Sequence, residues 1–254
     1  MPRRSILAAA AAVLLMGAAP AEDDPSMAAP VATTLKGYLA DGAVDALAVL
    51  GPPPEADSPR GRADRAFYED SRALAGSPRW AQAVRDNDLW DGGALHRYAC
   101  VLGVRLDAAS TPHTLRLLRR VELDVRTVSG PVKARYNRVR PLIGDDRPVC
   151  IKREPWMDTN GSYPSGHAMT GWSWGMILAE VAPAKANAVL AAGREVGDSR
   201  PICGVHYVTD IEAGRTLAAA MVARLNVESA FRADLAQARA ELAHAKAPPE
   251  GCGG

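Results

Sequence analysis

A chain of 254 residues can bury a full core without a metal or a partner to hold it, and one domain is the default at this length. Its 48% hydrophobic and 23% charged residues are an ordinary globular composition, with aromatics sparse at 5% and alanine abundant, which favours helix. Lys and Arg number 30 against 29 Asp and Glu, with no basic run, so the chain is a poor candidate for nucleic-acid binding.

The first residues read as a secretory signal peptide. Arg3-Arg4 form a basic start, Ile6 to Met16 an apolar run, and Ala19-Pro20-Ala21 a small-residue cleavage site. The apolar run falls short of the ~20 residues a membrane span needs. Cleavage after Ala21 is expected, with export to a bacterial periplasm and no membrane attachment afterwards. It removes Arg3 and Arg4 and no acid, leaving 28 basic against 29 acidic residues, a net charge of −1. The expected organisation is residues 1–21 as signal peptide, 22–248 as one domain and 249–254 as a flexible tail. Cys100, Cys150, Cys203 and Cys252 all lie beyond the cleavage site, and an even number in an oxidising compartment points to disulfides. None forms a CxxC, and the wide spacing does not look like a zinc site. Four cysteines permit three connectivities, and spacing does not choose among them.

Residues 22–34 are rich in Ala, Pro and Asp and read as loose. Leu35 to Leu50 holds apolar stretches, after which Gly51-Pro52-Pro53-Pro54 and the polar run to Pro59 force an extended connection. Arg62 to Leu89 is helical, interrupted at Gly76-Ser77-Pro78, and Ala94 to Val104 is a further helix. Thr111-Pro112 opens a long one with Thr111 as its cap, carrying Leu115, Leu118, Val121 and Val125 at helical spacing. Gly130-Pro131 should kink or restart it, a second segment running from Val132 to Arg140 until Pro141 ends it. Leu142 to Ser165 is irregular. His167 to Val181 is a nearly uncharged helix, as expected of one buried on most sides. Ala184 to Val196, Val208 to Leu225 and Ala230 to Lys246 complete the series. No period-2 strand and no repeat appears, so the expected fold class is all-α, a single-domain helical bundle.

Three short stretches carry the chemistry. Lys133 and Arg140 are seven apart, two turns on one helix face, while Arg135 and Arg138 project elsewhere and read as surface residues. A face with two cations is usually only solvated. Pro164-Ser165-Gly166-His167 stands between an irregular loop and a helix start, where the glycine admits close approach, the outward N–H groups carry the positive dipole end and Ser165 adds a hydroxyl. An ordinary helix cap would look the same. Ser199-Arg200 precedes a turn at Pro201 and Gly204, followed by His206 and Asp210 four apart. In a helical turn Asp210 can reach one imidazole nitrogen of His206, fixing the tautomer and leaving the other as a nucleophile. A structural His–Asp pair is the plainer explanation. Together, however, the three supply the complementary parts of one reaction at a tetrahedral oxyanion.

The eleven residues K-x6-RP, PSGH and SR-x5-H-x3-D resemble the type 2 phosphatidic acid phosphatase superfamily, whose pattern vanadium haloperoxidases share. Gly161-Ser162-Tyr163-Pro164-Ser165-Gly166-His167 and Gly197-Asp198-Ser199-Arg200-Pro201-Ile202-Cys203-Gly204 resemble the class A bacterial non-specific acid phosphatases in particular. The resemblance runs from about Leu35 to Lys246, thinly before Leu95, and departs from the class at Ala168, where threonine is usual, and at Gly130-Pro131 within a helix. It implies that His206 attacks phosphorus, that Asp210 orients it and that His167 protonates the leaving alkoxide and then activates water. Lys133, Arg140, Ser165, Gly166 and Arg200 would hold the phosphoryl oxygens. It further implies small phosphomonoesters as substrates, no cofactor or metal, a phosphohistidine intermediate with some phosphotransfer, and a homo-oligomer. Cys150 is then expected to pair with Cys203, since both flank segments this chemistry draws together, leaving Cys100 for Cys252. A vanadium-dependent haloperoxidase using the same cradle, or a phosphate-binding protein without catalysis, are the alternatives.

Overall fold

The computed structural model describes residues 35–90, 92–245 and 250–252; the expected signal peptide and the stretch to residue 34 lie outside them. Among the described residues there are α-helices and short 3-10 turns but no strand, so the all-α expectation holds. In chain order the α-helices are α1 Ala46–Val49, α2 Pro59–Ser71, α3 Pro78–Arg85, α4 Ala94–Leu102, α5 Pro112–Tyr136, α6 Trp156–Thr159, α7 Gly166–Val181, α8 Ala186–Cys203, α9 Val208–Leu225 and α10 Ser229–His244. Among the described residues no helix is long and apolar enough to cross a membrane.

The nearly uncharged α7 is the centre. It packs against α8, α9, α5 and α10, with Met169, Trp174, Ile177 and Leu178 fully buried. Each such side chain contributes roughly 1.5–3 kcal/mol by leaving water. Trp174 also donates its indole N–H to the Leu118 carbonyl at 3.1 Å and meets Trp90 edge-on at 4.8 Å. The α7–α8 contact is unusually close because glycines face each other: a Cβ on Gly193 would stand 2.6 Å from the Gly171 carbonyl oxygen. Any larger residue there would lever α8, and Arg200 with it, away from α7.

The structure corrects several sequence expectations. Helix α5 runs unbroken through Pro131 instead of restarting at Gly130-Pro131. Proline removes one N–H, that which would serve the Thr127 carbonyl, and Thr127 lies on the exposed face where water can take its place. The helix then stops at Tyr136, not at Arg140, because Asn137 turns left-handed with φ of 37°. Lys133 and Arg140 therefore do not share a helix face. Thr111 stands at the α5 N-cap position, but its hydroxyl bonds the Arg105 carbonyl instead of the first turn. That turn is capped from α10, where the Glu241 carboxylate accepts from the His113 and Thr114 amides at 2.9 and 2.8 Å. Helix α8 continues through Pro201 to Cys203, where a turn was expected after Arg200.

Both expected disulfides are present: Cys150–Cys203, and Cys100–Cys252, which ties residues 250–252 to α4.

Candidate active site

Two of the three motif stretches lie at the N-terminus of α7 and the C-terminus of α8. Ser165 is the N-cap of α7 and accepts from the Ala168 amide at 3.3 Å. The capping role is thus real, and it leaves the hydroxyl proton to be donated, since one hydroxyl can do both. The Ser165 amide donates to the Asp210 carbonyl at 3.0 Å, pinning this loop to α9.

Arg200, in the last turn of α8, is fully buried and donates through Nη1 to Asn87 Oδ1 at 2.7 Å. The end of α8 is held by Arg72, whose guanidinium donates to the carbonyls of Pro201, Ile202 and Cys203 at 3.2, 2.6 and 3.3 Å, and to that of Pro148 at 2.7 Å. These are the last carbonyls of the helix, and Arg72 adds a charged donor there to the Gly204 and Cys150 amides that reach Pro201 and Cys203. Gly204 follows with φ of 89°, where a Cβ would stand 2.3 Å from the Arg72 guanidinium. Only glycine suits both conditions.

His206 lies in the short link before α9, not within the helix, and is buried. Its Nδ1 is 3.5 Å from Asp210 Oδ2 and 3.3 Å from Ser162 Oγ, and the Ser162 hydroxyl also donates to Asp210 Oδ2. On the other side Arg140 Nη1 lies 3.1 Å from His206 Nε2. A guanidinium only donates, so Nε2 presents a lone pair and the imidazole hydrogen sits on Nδ1, towards the serine and the carboxylate. Burial pushes the His206 pKa well below its ordinary range. The charges of Arg140, Lys133 and Arg200, with His167, push the same way. These four residues thus face one neutral imidazole.

Lys133 and Arg140 converge on Asn160 although they sit on different elements. Lys133 Nζ donates to the Gly161 carbonyl at 2.6 Å and to Asn160 Oδ1 at 3.3 Å; Arg140 reaches the Asn160 carbonyl at 3.1 Å and Oδ1 at 3.2 Å. His167, buried at the start of α7, places Nε2 at 2.8 Å from the Asn87 backbone carbonyl.

Arg138, expected on the surface, is a further correction. Its side chain is 11% exposed and bonds Asp210 Oδ1 at 2.6 Å and Asp64 Oδ2 at 2.9 Å. The left-handed turn at Asn137 folds it back under the site. Sequence reasoning also passed over Asp64, Asn87, Asn160 and Ser162. For Asn160 and Ser162 a signal existed, polar residues flanking Gly161 just ahead of the Pro164 loop. Asp64 and Asn87 had none, being brought in by tertiary packing from the N-terminal part of the chain.

An all-helical protein thus brings buried cations together around a neutral, oriented imidazole just before a helix N-terminus. Comparison with known proteins gives the family. Residues 125–230 match the PAP2 superfamily. The chain is 39% identical over 203 residues to an acid phosphatase of Zymomonas mobilis subsp. mobilis, covering 80% of this chain and 77% of that one. It is 35% identical over 206 residues to the non-specific acid phosphatase of Providencia stuartii, covering 80% and 83%. Against the non-specific acid phosphatase of Salmonella typhimurium it is 35% identical over 195 residues, covering 76% and 78%. Among solved structures, a transmembrane PAP2 type phosphatidylglycerolphosphate phosphatase from Bacillus subtilis aligns with a TM-score of 0.47 at 20% identity, covering 66% of this chain and 85% of that one. The chain belongs to the PAP2 superfamily, in its family of bacterial non-specific acid phosphatases.

Proposed function

We propose that this protein is a metal-independent acid phosphatase that hydrolyses a broad range of phosphate monoesters through a phosphohistidine on His206. The observation that carries the reading is the His206 ring itself: buried, Nδ1 turned to Asp210 and Ser162, Nε2 offered as a lone pair to Arg140. When a phosphoryl group arrives, Arg140 transfers its donors to the oxygens and uncovers Nε2. Nε2 then attacks phosphorus, the P–O ester bond breaks, and the leaving alkoxide takes a proton from His167. In the second step water attacks phosphorus, His167 accepts its proton, the P–N bond breaks and phosphate departs; an alcohol in place of water gives phosphotransfer. Lys133, Arg140, Ser165, the Gly166 amide and Arg200 hold the equatorial oxygens.

The crowding of donors has an energetic reason. One oxyanion donor typically supplies ~10²–10³-fold, whereas enzymes accelerate phosphate-monoester hydrolysis by up to ~10²¹-fold. Export through residues 1–21 to the periplasm accompanies this reading, and N-terminal sequencing of secreted protein tests it.

The decisive experiment measures p-nitrophenyl phosphate and alkyl phosphate hydrolysis in EDTA for the wild type, His206→Ala and His167→Ala. The wild type should be active in EDTA. His206→Ala should lose turnover and the covalent intermediate together. His167→Ala should lose alkyl esters far more than the nitrophenyl ester, which leaves without much protonation, and should accumulate labelled phosphoprotein. Label retained on His206→Ala, or a wild type silenced by EDTA, would overturn the proposal.

A further inference from the structure

We propose that Arg138 is a positioning residue for the nucleophile: by clamping and neutralising Asp210 it holds His206 as the neutral, Nδ1-protonated imidazole and so sets how far into acid the enzyme works. This rests on the reading of His206 as nucleophile.

The geometry comes first. Asp210 is fully buried and its two oxygens have divided duties. Oδ2 faces His206 and Ser162 and accepts the Tyr207 amide at 2.8 Å, while Oδ1 faces away and takes Arg138 Nη1 at 2.6 Å. Arg138 is held from three further directions. Its Nη2 pairs with Asp64, its guanidinium lies 4.2 Å over the Tyr207 ring, and its backbone carbonyl accepts the Ser162 amide at 2.8 Å. One residue therefore fixes both groups that touch His206 Nδ1: the carboxylate through its side chain and the serine through its main chain. Asp64 closes the chain by bonding the Thr209 amide at 3.0 Å and the Thr209 hydroxyl, at the first turn of α9.

The electrostatics follow. Facing His206 are Lys133 from α5, Arg140 from the segment after it, His167 from α7, Arg200 from α8 and Asp210 from α9. Asp210 is the sole negative charge in that set. A carboxylate at this range draws a proton onto an imidazole, and an imidazolium has no lone pair with which to attack phosphorus. Arg138 supplies the opposing charge on the far oxygen. Burial lowers the affinity of Arg138 for its own proton, but Asp210 and Asp64 outweigh it and raise its pKa above the ordinary value, so the neutralising charge is always present. Asp64 in turn shares the Arg138 charge. Removing Asp64 should turn more of that charge on Asp210, and removing Arg138 should release Asp210 onto His206. The two changes have opposite signs.

The test is histidine ring ¹⁵N NMR titration of His206, run beside the pH dependence of kcat/KM for p-nitrophenyl phosphate. The variants are Arg138→Gln, Arg138→Lys and Asp64→Asn, each checked for native helix content by circular dichroism. Arg138→Gln should raise the His206 titration midpoint by about one unit, with the acid limb of kcat/KM moving equally, a loss of about tenfold on that limb. Arg138→Lys keeps the charge and should restore the midpoint while kcat stays reduced, because its ammonium cannot make the fork. Asp64→Asn should move the midpoint down. Where Arg138→Gln fails to fold, the direction of Asp64→Asn against wild type still decides. A His206 midpoint unchanged in the folded variants, or shifts of the same sign in both, would sink the proposal. An inactive wild type whose His206 midpoints shift as described would sink the phosphatase reading while leaving the Arg138 clamp in place.

Discussion

Asn87 and His167 are joined by one hydrogen bond, Nε2 to the Asn87 backbone carbonyl at 2.8 Å, and that bond decides which imidazole nitrogen handles the proton. A carbonyl oxygen can only accept, so Nε2 keeps its hydrogen and Nδ1 is the nitrogen left to give and take a proton in the proposed mechanism. The same residue's side chain accepts from Arg200 at 2.7 Å, so a single asparagine contacts both the proposed acid–base group and a cation proposed to hold phosphoryl oxygens.

Replacing Asn87 by Ala keeps the carbonyl and removes only the Arg200 contact. The His167 leaving-group preference should persist, while kcat/KM falls by roughly tenfold for activated and unactivated esters alike, as expected of a displaced charge donor. Steady-state kinetics on both ester classes separates the two effects. A loss confined to alkyl esters would show that the side chain serves His167 instead.

His206 gives stability a pH dependence whose sign can be worked out. Its folded pKa lies well below the ordinary 6.5, so between those two values the unfolded chain binds a proton that the folded chain refuses. Folding stability should therefore fall as pH drops through 6.5, by up to about 1.4 kcal/mol per unit, and be unaffected by this group above it. Urea unfolding at pH 7.5 and 5.5 should show a steeper loss for wild type than for His206→Asn. Parallel losses would count against the buried, neutral ring.

The Cys150–Cys203 disulfide ends three residues before His206, and the Cys150 amide donates to the Cys203 carbonyl at 3.0 Å. Changing both cysteines to Ser should cost about 2–5 kcal/mol and lower kcat as the Gly204 link loosens. The matching change at Cys100 and Cys252 should cost stability and leave kcat alone, because α4 contributes no proposed catalytic residue. Thermal melts and kinetics on the two double mutants make the comparison.

Glu241→Gln weakens the cap that α10 places on α5. The Thr114 hydroxyl and two first-turn amides lose a charged acceptor, which should cost about 0.5–2 kcal/mol. Turnover at 25 °C should be unchanged. A fall in kcat at full helicity would mean that this clasp reaches the site.

Much of this architecture was legible in the sequence, and what was not has a common cause. The expected span of α9, Val208 to Leu225, is the observed one, and α7 starts one residue before the expected His167. Prolines misled twice. Pro131 and Pro201 read as breaks, yet α5 passes the first because the carbonyl left without a partner faces water, and α8 passes the second to end at Cys203, where Arg72 serves its last carbonyls. The eleven motif residues were picked out by their types and spacing together with the family resemblance these carry. The residues that hold them were not, because Asp64, Asn87 and Arg138 owe their place to contacts many residues away. Arg138 looked like a surface cation because its burial depends on Asn137 turning left-handed, which no spacing announces.

Thr209 meets Asp64 across 145 residues, and Arg138 meets Asp210 across 72. Local helices can form before such distant partners find each other, since closing long loops is paid for in chain entropy before any contact repays it. Helix content and catalytic competence should consequently be regained at different times on refolding, with far-ultraviolet ellipticity returning first and turnover trailing it. A chain interrupted during synthesis before residue 210 would lack Asp210 and most of α9, and should show helix signal without phosphatase turnover.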